Sequence, residues 1–211
     1  MMLDDKIKQE VSKILATMNQ PVTVELFTQE MECGYCKETH ELLNDLVSVT
    51  DKIKLDVHSF EKDTVEVEKY RIEQIPALVI MDEKDRGIRF YGIPAGYEFS
   101  SLLNALLMVS TGVVKLTNDT KAFLDYLQKP VNLKVFVTPT CPYCPPSVML
   151  AHTLAFYSDR ITAEMIELSE FPHLAVKYGV QGVPRTVINE KWFVEGAAPE
   201  AILLEKIKEA L

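Results

Sequence analysis

The sequence predicts an α/β chain of two tandem units of one fold, each a four-stranded mixed sheet flanked by helices. Three observations carry this expectation. All four cysteines fall in two Cys-x-x-Cys pairs, Cys33/Cys36 and Cys141/Cys144. The first cysteine of each pair precedes a proline, Pro76 or Pro184, by the same 43 residues, so a shift of 108 residues superposes both features. Laid over one another without gaps, residues 33–80 and 141–188 share 12 of 48 positions. Tyr70-Arg-Ile-Glu-Gln-Ile-Pro76 also matches Tyr178-Gly-Val-Gln-Gly-Val-Pro184 in its aliphatic positions. Self-similarity at a fixed offset is the signature of a duplicated unit.

Each unit reads the same way along the chain. An amphipathic leading helix comes first: Asp4 to Met18 carries Ile7, Val11, Ile14, Leu15 and Met18 on one stripe. In the second unit, Asn118-Asp119-Thr120 offers a capping residue ahead of Phe123, Leu124 and Leu127. A β-rich run follows, Val22 to Phe27 or Leu133 to Val137, and then the cysteine pair. The next helix buries Leu42, Leu43, Leu46 and Val47 on one face. A short strand (Ile53 to Val57; Ile161 to Ile166) and a short helix ending near Tyr70 or Tyr178 lead to the proline. The proline opens a strand, Ala77 to Met81 or Arg185 to Asn189. A hairpin through Glu83–Gly87 or Asn189–Lys191 reaches a last strand near Phe90-Tyr91 or Trp192 to Val194. A terminal helix closes each unit, Phe99 to Val109 and Pro199 to Ala210, with Pro199 suited to a first helical turn. The expected units are 1–112 and 113–211. Their connection near Thr111 to Leu116 is short and partly apolar, so two packed bodies are expected rather than two on a flexible string. The stripe Leu102, Leu103, Leu106, Leu107 and Met108 is the expected joint between them.

Composition narrows the function. With 47% apolar and 25% charged residues the chain is ordinary globular material, which excludes a disordered or fibrous protein. The 31 Asp and Glu outnumber the 22 Lys and Arg, and a net charge of −9 repels phosphate backbones and anionic lipid. Neither a nucleic-acid nor a membrane partner is expected. The first residues lack a basic stretch followed by an apolar core of signal-peptide type. The most apolar segment, Leu102 to Val114, is interrupted by polar residues and falls short of the roughly 20 residues that span a bilayer. A cytoplasmic location is expected, and there paired cysteines are more often catalytic or metal-binding than structural staples.

Cys-x-x-Cys at the opening of a helix brings two sulfurs within disulfide reach, while the helix N-terminus stabilises a thiolate on the first cysteine. Cys33 and Cys141 are therefore the expected exposed nucleophiles, with Cys36 and Cys144 as buried resolving thiols. Pro76 and Pro184 suit a cis peptide in a tight turn. The backbone of Ile75 or Val183 is then placed to hydrogen-bond an extended substrate segment across the cysteines. Tyr35 and Tyr143, between the cysteines, are placed to contact substrate. Asp56 and Glu164 match across the repeat, on the strand after the cysteine helix. A buried carboxyl there could relay a proton from the resolving thiol; a solvent-facing strand residue is the alternative. Glu30, Glu32, Glu38 and Glu41 crowd the first pair with only Lys37 to offset them, whereas no charge flanks the second between Lys134 and Asp159. Carboxylates disfavour a thiolate, so Cys141 is expected to have the lower pKa. His40, His58, His152 and His173 do not match across the repeat and are expected on the surface or on helix faces without a role. No metal is expected: a Cys₄ zinc site usually sets its pairs about 15–20 residues apart, and here 105 separate Cys36 from Cys141.

The order of strand, Cys-x-x-Cys, helix and later Ile/Val-Pro resembles the thioredoxin/glutaredoxin superfamily, and Cys141-Pro-Tyr-Cys144 is similar to the glutaredoxin active-site tetrapeptide. Two such units, each with its own pair, resemble over essentially the whole chain the protein disulfide oxidoreductases of hyperthermophilic archaea and bacteria. The resemblance implies dithiol–disulfide exchange on protein thiols and disulfides, as reductase, oxidase and isomerase. It implies no bound cofactor beyond the redox-active disulfides themselves. Reducing equivalents would come from NADPH through a flavin-dependent thioredoxin reductase as partner, in a cytosol that tolerates disulfides. Two departures stand out: Gly34 replaces the proline of the glutaredoxin motif, and Glu32 and Thr140 occupy the place of the thioredoxin tryptophan. Two other classes remain open. One is an electron-relay module resembling the N-terminal tandem part of the flavoprotein that reduces alkyl hydroperoxide reductase, which keeps one working pair where this chain has both. The other is a non-catalytic zinc-bound scaffold.

Overall fold

The computed structural model describes residues 2–211. The first unit runs α1 (Asp5–Leu15), β1 (Val22–Thr28), α2 (Cys36–Val47), β2 (Ile53–Ser59), α3 (Thr64–Tyr70), β3 (Ala77–Met81), β4 (Asp85–Tyr91), a 3₁₀ turn (Gly96–Glu98) and α4 (Phe99–Thr111). The second runs α5 (Asn118–Asp125), β5 (Val131–Val137), α6 (Cys144–Tyr157), β6 (Ile161–Glu167), α7 (Pro172–Lys177), β7 (Arg185–Ile188), β8 (Trp192–Glu195) and α8 (Glu200–Glu209). Gly112, in the left-handed conformation that glycine tolerates, ends α4. The cap of α5 is Thr117 rather than a residue of Asn118–Thr120. Its hydroxyl accepts from the Thr120 N–H, and that three-residue reach selects the residue ahead of the first helical turn.

The two four-stranded sheets are one. The strand order is β2-β1-β3-β4-β6-β5-β7-β8, and the units join through a parallel pairing of β4 with β6. An unpaired β4 would present open N–H and C=O groups along its edge, and pairing with β6 removes that edge. Gly87, expected in the hairpin, lies inside β4 instead. It has φ +72°, and a Cβ there would stand 2.5 Å from the Ile161 carbonyl oxygen. Its missing side chain lets the second unit approach; the turn itself is Asp82–Lys84.

Apolar residues cover both faces of this sheet unequally. On one face Leu26, Leu78, Phe90, Leu102, Leu106, Leu133, Val148, Leu154 and Ile207 form a single cluster that runs through both units, with α4 packed on α6. His152, on a face of α6, sits in that joint and is fully buried rather than exposed. Its Nε2 lies 3.1 Å from the Arg89 carbonyl oxygen and its ring meets the Phe90 ring edge-on. Burial drives its pKa down to about 4, so the imidazole is neutral at pH 7. The other face is thinner: Phe27, Ala77, Val79, Tyr91, Phe136, Ile166 and Val187 lie beneath Tyr70, Ile72 and Phe171. Between the two covered patches the registers set Asp56, Glu25, Arg89, Glu164 and Lys134 in a charged row. No helix among the described residues is long and apolar enough to cross a membrane.

Candidate active sites: two disulfides at one end of the sheet

Both cysteine pairs follow the C-terminal end of a central strand and open a helix. β1 and β5 point the same way, because β3 runs antiparallel to β1, β4 antiparallel to β3, and β6 and β5 parallel to β4. The pairs therefore share one end of the sheet. Four strand spacings separate them, roughly 19 Å at about 4.8 Å per strand. Cys36 and Cys144 are the first residues of α2 and α6, and the leading cysteines lie just beyond the helix N-termini. In α6 Pro145 and Pro146 occupy the first turn, where a missing N–H leaves no intrahelical bond unmade. Both pairs are disulfides, with Cα–Cα separations of 5.6 Å for Cys33–Cys36 and 5.5 Å for Cys141–Cys144. Standing as two separate disulfides, one per unit, they do not converge on a Cys₄ site. Ile75–Pro76 and Val183–Pro184 are both cis. The proline carbonyls accept from Gly92 (2.9 Å) and Gly196 (2.8 Å), which pins each proline turn to the chain leaving the next strand.

The sites differ in access. At the first, Cys33 is half-buried and Cys36 buried, and Tyr35 is 46% exposed. A cleft of about 470 Å³ opens on Cys33, walled by the proline turn (Glu73, Gln74, Ile75) on one side and by Ser169–Phe171 of the second unit on another. At the second site Cys144 is fully buried and Cys141 only 7% exposed, within the apolar cluster, while Tyr143 is 71% exposed. This corrects the expectation of an exposed leading cysteine at both sites. The cause is the first unit's chain after β4. The Tyr97 N–H donates to the Pro139 carbonyl (3.0 Å), and a Cβ on Gly96 would stand 2.3 Å from that same oxygen. The turn that carries Cys141 is packed against the other unit.

Asp56 and Glu164 do not lie beneath the sulfurs. They face the thin side of the sheet, in the charged row. Asp56 pairs with Lys54 at 2.6 Å, and Glu164 takes Lys134 at 2.8 Å and the Asn132 amide at 2.5 Å. Glu164 lines a cavity of about 750 Å³ between α3 and the second unit, which no cysteine borders. Two other carboxyls are perturbed near the sites. Glu98, buried in the 3₁₀ turn beside Tyr97, accepts from Ser101 Oγ at 2.6 Å, and burial pushes its pKa up to about 7. Glu170 lines the Cys33 cleft and accepts from the Ile93 N–H at 2.6 Å. Burial, with Glu167 and Glu38 nearby, pushes its pKa up to about 7. An isolated carboxyl just ahead of the apolar run Phe99–Val109 was a readable signal for Glu98. Apart from Glu167 three residues before it, nothing local marks Glu170, because Ile93 and Glu38 come from the other unit.

A redox-capable pair at a helix N-terminus beside a cis-proline turn, built twice on one mixed sheet, defines a thioredoxin-fold thiol–disulfide oxidoreductase with two Cys-x-x-Cys centres. Comparison with known proteins agrees. The thioredoxin domain family profile matches residues 21–104 and 131–209, and the chain belongs to that family. A protein disulfide oxidoreductase from Aeropyrum pernix superposes with a TM-score of 0.93 at 30% identity, over 98% of this chain and 93% of that one. The AhpF component of alkylhydroperoxide reductase from Enterococcus faecalis superposes at 0.90 and 26% identity, over 98% and 100%. Among curated relatives, the corresponding alkyl hydroperoxide reductase component of Escherichia coli is 25% identical over 206 residues, 98% of this chain and 37% of that protein. The chain thus spans little more than a third of the length of the curated relatives it matches.

Proposed function

We propose that the protein exchanges disulfides with protein substrates at both sites, as reductase, oxidase or isomerase according to the redox state it meets. Cys33 and Cys141 are the nucleophiles, Cys36 and Cys144 the resolving thiols. In the reducing direction the leading thiolate attacks one substrate sulfur, forming a mixed disulfide; the other substrate sulfur leaves as a thiolate and takes a proton from water. The resolving cysteine, deprotonated, then attacks the leading sulfur and releases the second substrate thiol. Two electrons pass from the cysteine pair to the substrate, and the reverse sequence donates the disulfide. Ile75 and Val183, ahead of the cis-prolines, align the substrate backbone, with Tyr35 and Tyr143 beside it. The observation that carries this reading is the repeated placement of a disulfide at a helix N-terminus against a cis-proline turn.

Reducing equivalents come from NADPH through a flavin-dependent, thioredoxin reductase-like partner, in the cytoplasm, and the halves 1–112 and 113–211 are the folding units. A second reading, electron relay to a peroxide reductase, is favoured by the likeness to AhpF. One experiment separates them: insulin reduction and refolding of scrambled ribonuclease by wild type, Cys33→Ser/Cys36→Ser and Cys141→Ser/Cys144→Ser. Activity in both assays, lost in part with each pair, supports exchange on proteins. Inactivity on both substrates, with electrons passing only to a peroxide reductase, would establish the relay instead.

A further inference from the structure

The cleft at Cys33 is a composite of the two units, and its charged lining has one sign. Glu32 and Glu73 come from the first unit and Glu170 from the second; the lining holds no lysine or arginine among the described residues, while Phe60, Ile75 and Phe171 supply apolar wall. Glu170 is built into place. Its carboxyl is held by the Ile93 N–H, and at Gly92, with φ +88°, a Cβ would stand 2.8 Å from Glu170 Oε1 and 2.7 Å from Glu167 Cβ. A side chain at position 92 would displace the carboxyl. The groups facing Glu170 are acidic on every side that reaches it: Glu167 from β6, Glu38 from α2, and Glu32 and Glu73 across the cleft. Beyond the Ile93 N–H, nothing among these neighbours favours the ionised form of Glu170, and an incoming cation would. Among the described residues the same cleft is one of two openings on the one leading sulfur that is not buried; the other, about 600 Å³, lies away from the proline turn and mixes Lys37 and Lys62 with Glu30 and Glu61.

We infer that Glu170 and Glu73 are specificity-determining residues of the first site, selecting substrate segments that carry lysine or arginine beside the disulfide cysteine. The inference rests on the disulfide-exchange reading above. An extended segment laid along Ile75 presents alternate side chains to the two walls. A basic neighbour of the reacting cysteine then meets Glu73 or Glu170, and an acidic one meets only like charge. The second site, whose chain carries no Asp, Glu, Lys or Arg between Lys134 and Asp159, should show no such preference.

The test uses full-length Cys141→Ser/Cys144→Ser protein, pre-reduced, in single-turnover reduction of two disulfide-linked peptides that differ only in flanking Lys or Glu. The Lys peptide should react roughly tenfold faster at low salt, with the ratio falling towards one at 1 M salt as charges are screened. Glu170→Gln and Glu73→Gln should each lower the ratio, and Glu73→Lys should invert it; the ratio within one variant is insensitive to a general loss of activity. Equal rates for the two peptides, or a ratio unmoved by these substitutions, would overturn the inference while leaving disulfide exchange standing. Failure to reduce either peptide, with insulin also untouched, would overturn the exchange reading and this inference with it.

Discussion

The two cysteine pairs occupy equivalent positions in equivalent units, yet they meet their surroundings differently. Around the first, the second unit stands back and forms the far wall of an open cleft. Around the second, the first unit closes in, and Gly96 and Tyr97 press on the turn that carries Cys141. Each unit thus reaches towards the other's site and sets a carboxyl near it, Glu170 facing the cleft and Glu98 buried behind the contact. Duplication copies local geometry; it does not copy what packs against it, because a head-to-tail pair gives its two members different neighbours.

The contrast can be broken most sharply by chemistry at the sulfurs. In the oxidised protein a bulky protein thiol should reduce Cys33–Cys36 about a hundredfold faster than Cys141–Cys144, because attack requires access as well as a good leaving group. Quenching with an alkylating agent and peptide mass analysis at each pair would measure it, and equal rates would show that the packed segment does not protect Cys141. The contact itself can be attacked next. Gly96→Ala places a Cβ against the backbone of Pro139 at φ +60°. It should cost on the order of 2–3 kcal/mol in denaturant unfolding while raising the reactivity of Cys141 towards the first pair's level.

Smaller effects come from the two carboxyls. Glu98 ionises near 7 when folded, against an ordinary 4.5. A folded-state pKa raised in this way contributes stability that is fully present below the unfolded pKa and lost as pH rises through about 7. Glu98→Gln should therefore stabilise the protein at pH 8 by roughly 3 kcal/mol relative to its effect at pH 4, read from the pH dependence of urea unfolding. For Glu170, ionisation above about 7 strengthens attraction for a cation. The Lys-to-Glu peptide ratio at the first site should rise about twofold to threefold between pH 6 and pH 8, and the rise should vanish in Glu170→Gln. Taking the ratio cancels the ionisation of the cysteine itself. A preference flat across this range would detach Glu170 from the cleft's selectivity.

Much of the fold was legible, and the reason is local. The strand, Cys-x-x-Cys and helix order depends on residues within a few turns of one another, and the proline spacing repeats because a whole unit repeats. The hairpin glycine shows where such reading ends. Positive φ at Gly87 suits a tight turn and a close approach equally, and the carbonyl of Ile161, which decides between them, lies 74 residues away. Asp56 and Glu164 show a related limit: matching across the repeat placed them on equivalent strands, β2 and β6, but left open which face of the sheet each would take.

Spacing along the chain was enough to settle that two sulfur couples form, that each opens a helix, and that each lies by a proline turn. Those relations are made over short stretches, where bond geometry and periodicity leave few alternatives. Which couple a partner can reach, and what charge greets it there, was decided only when β4 paired with β6. Accessibility and electrostatic environment are sums over everything nearby, and at both sites part of what is nearby belongs to the other unit.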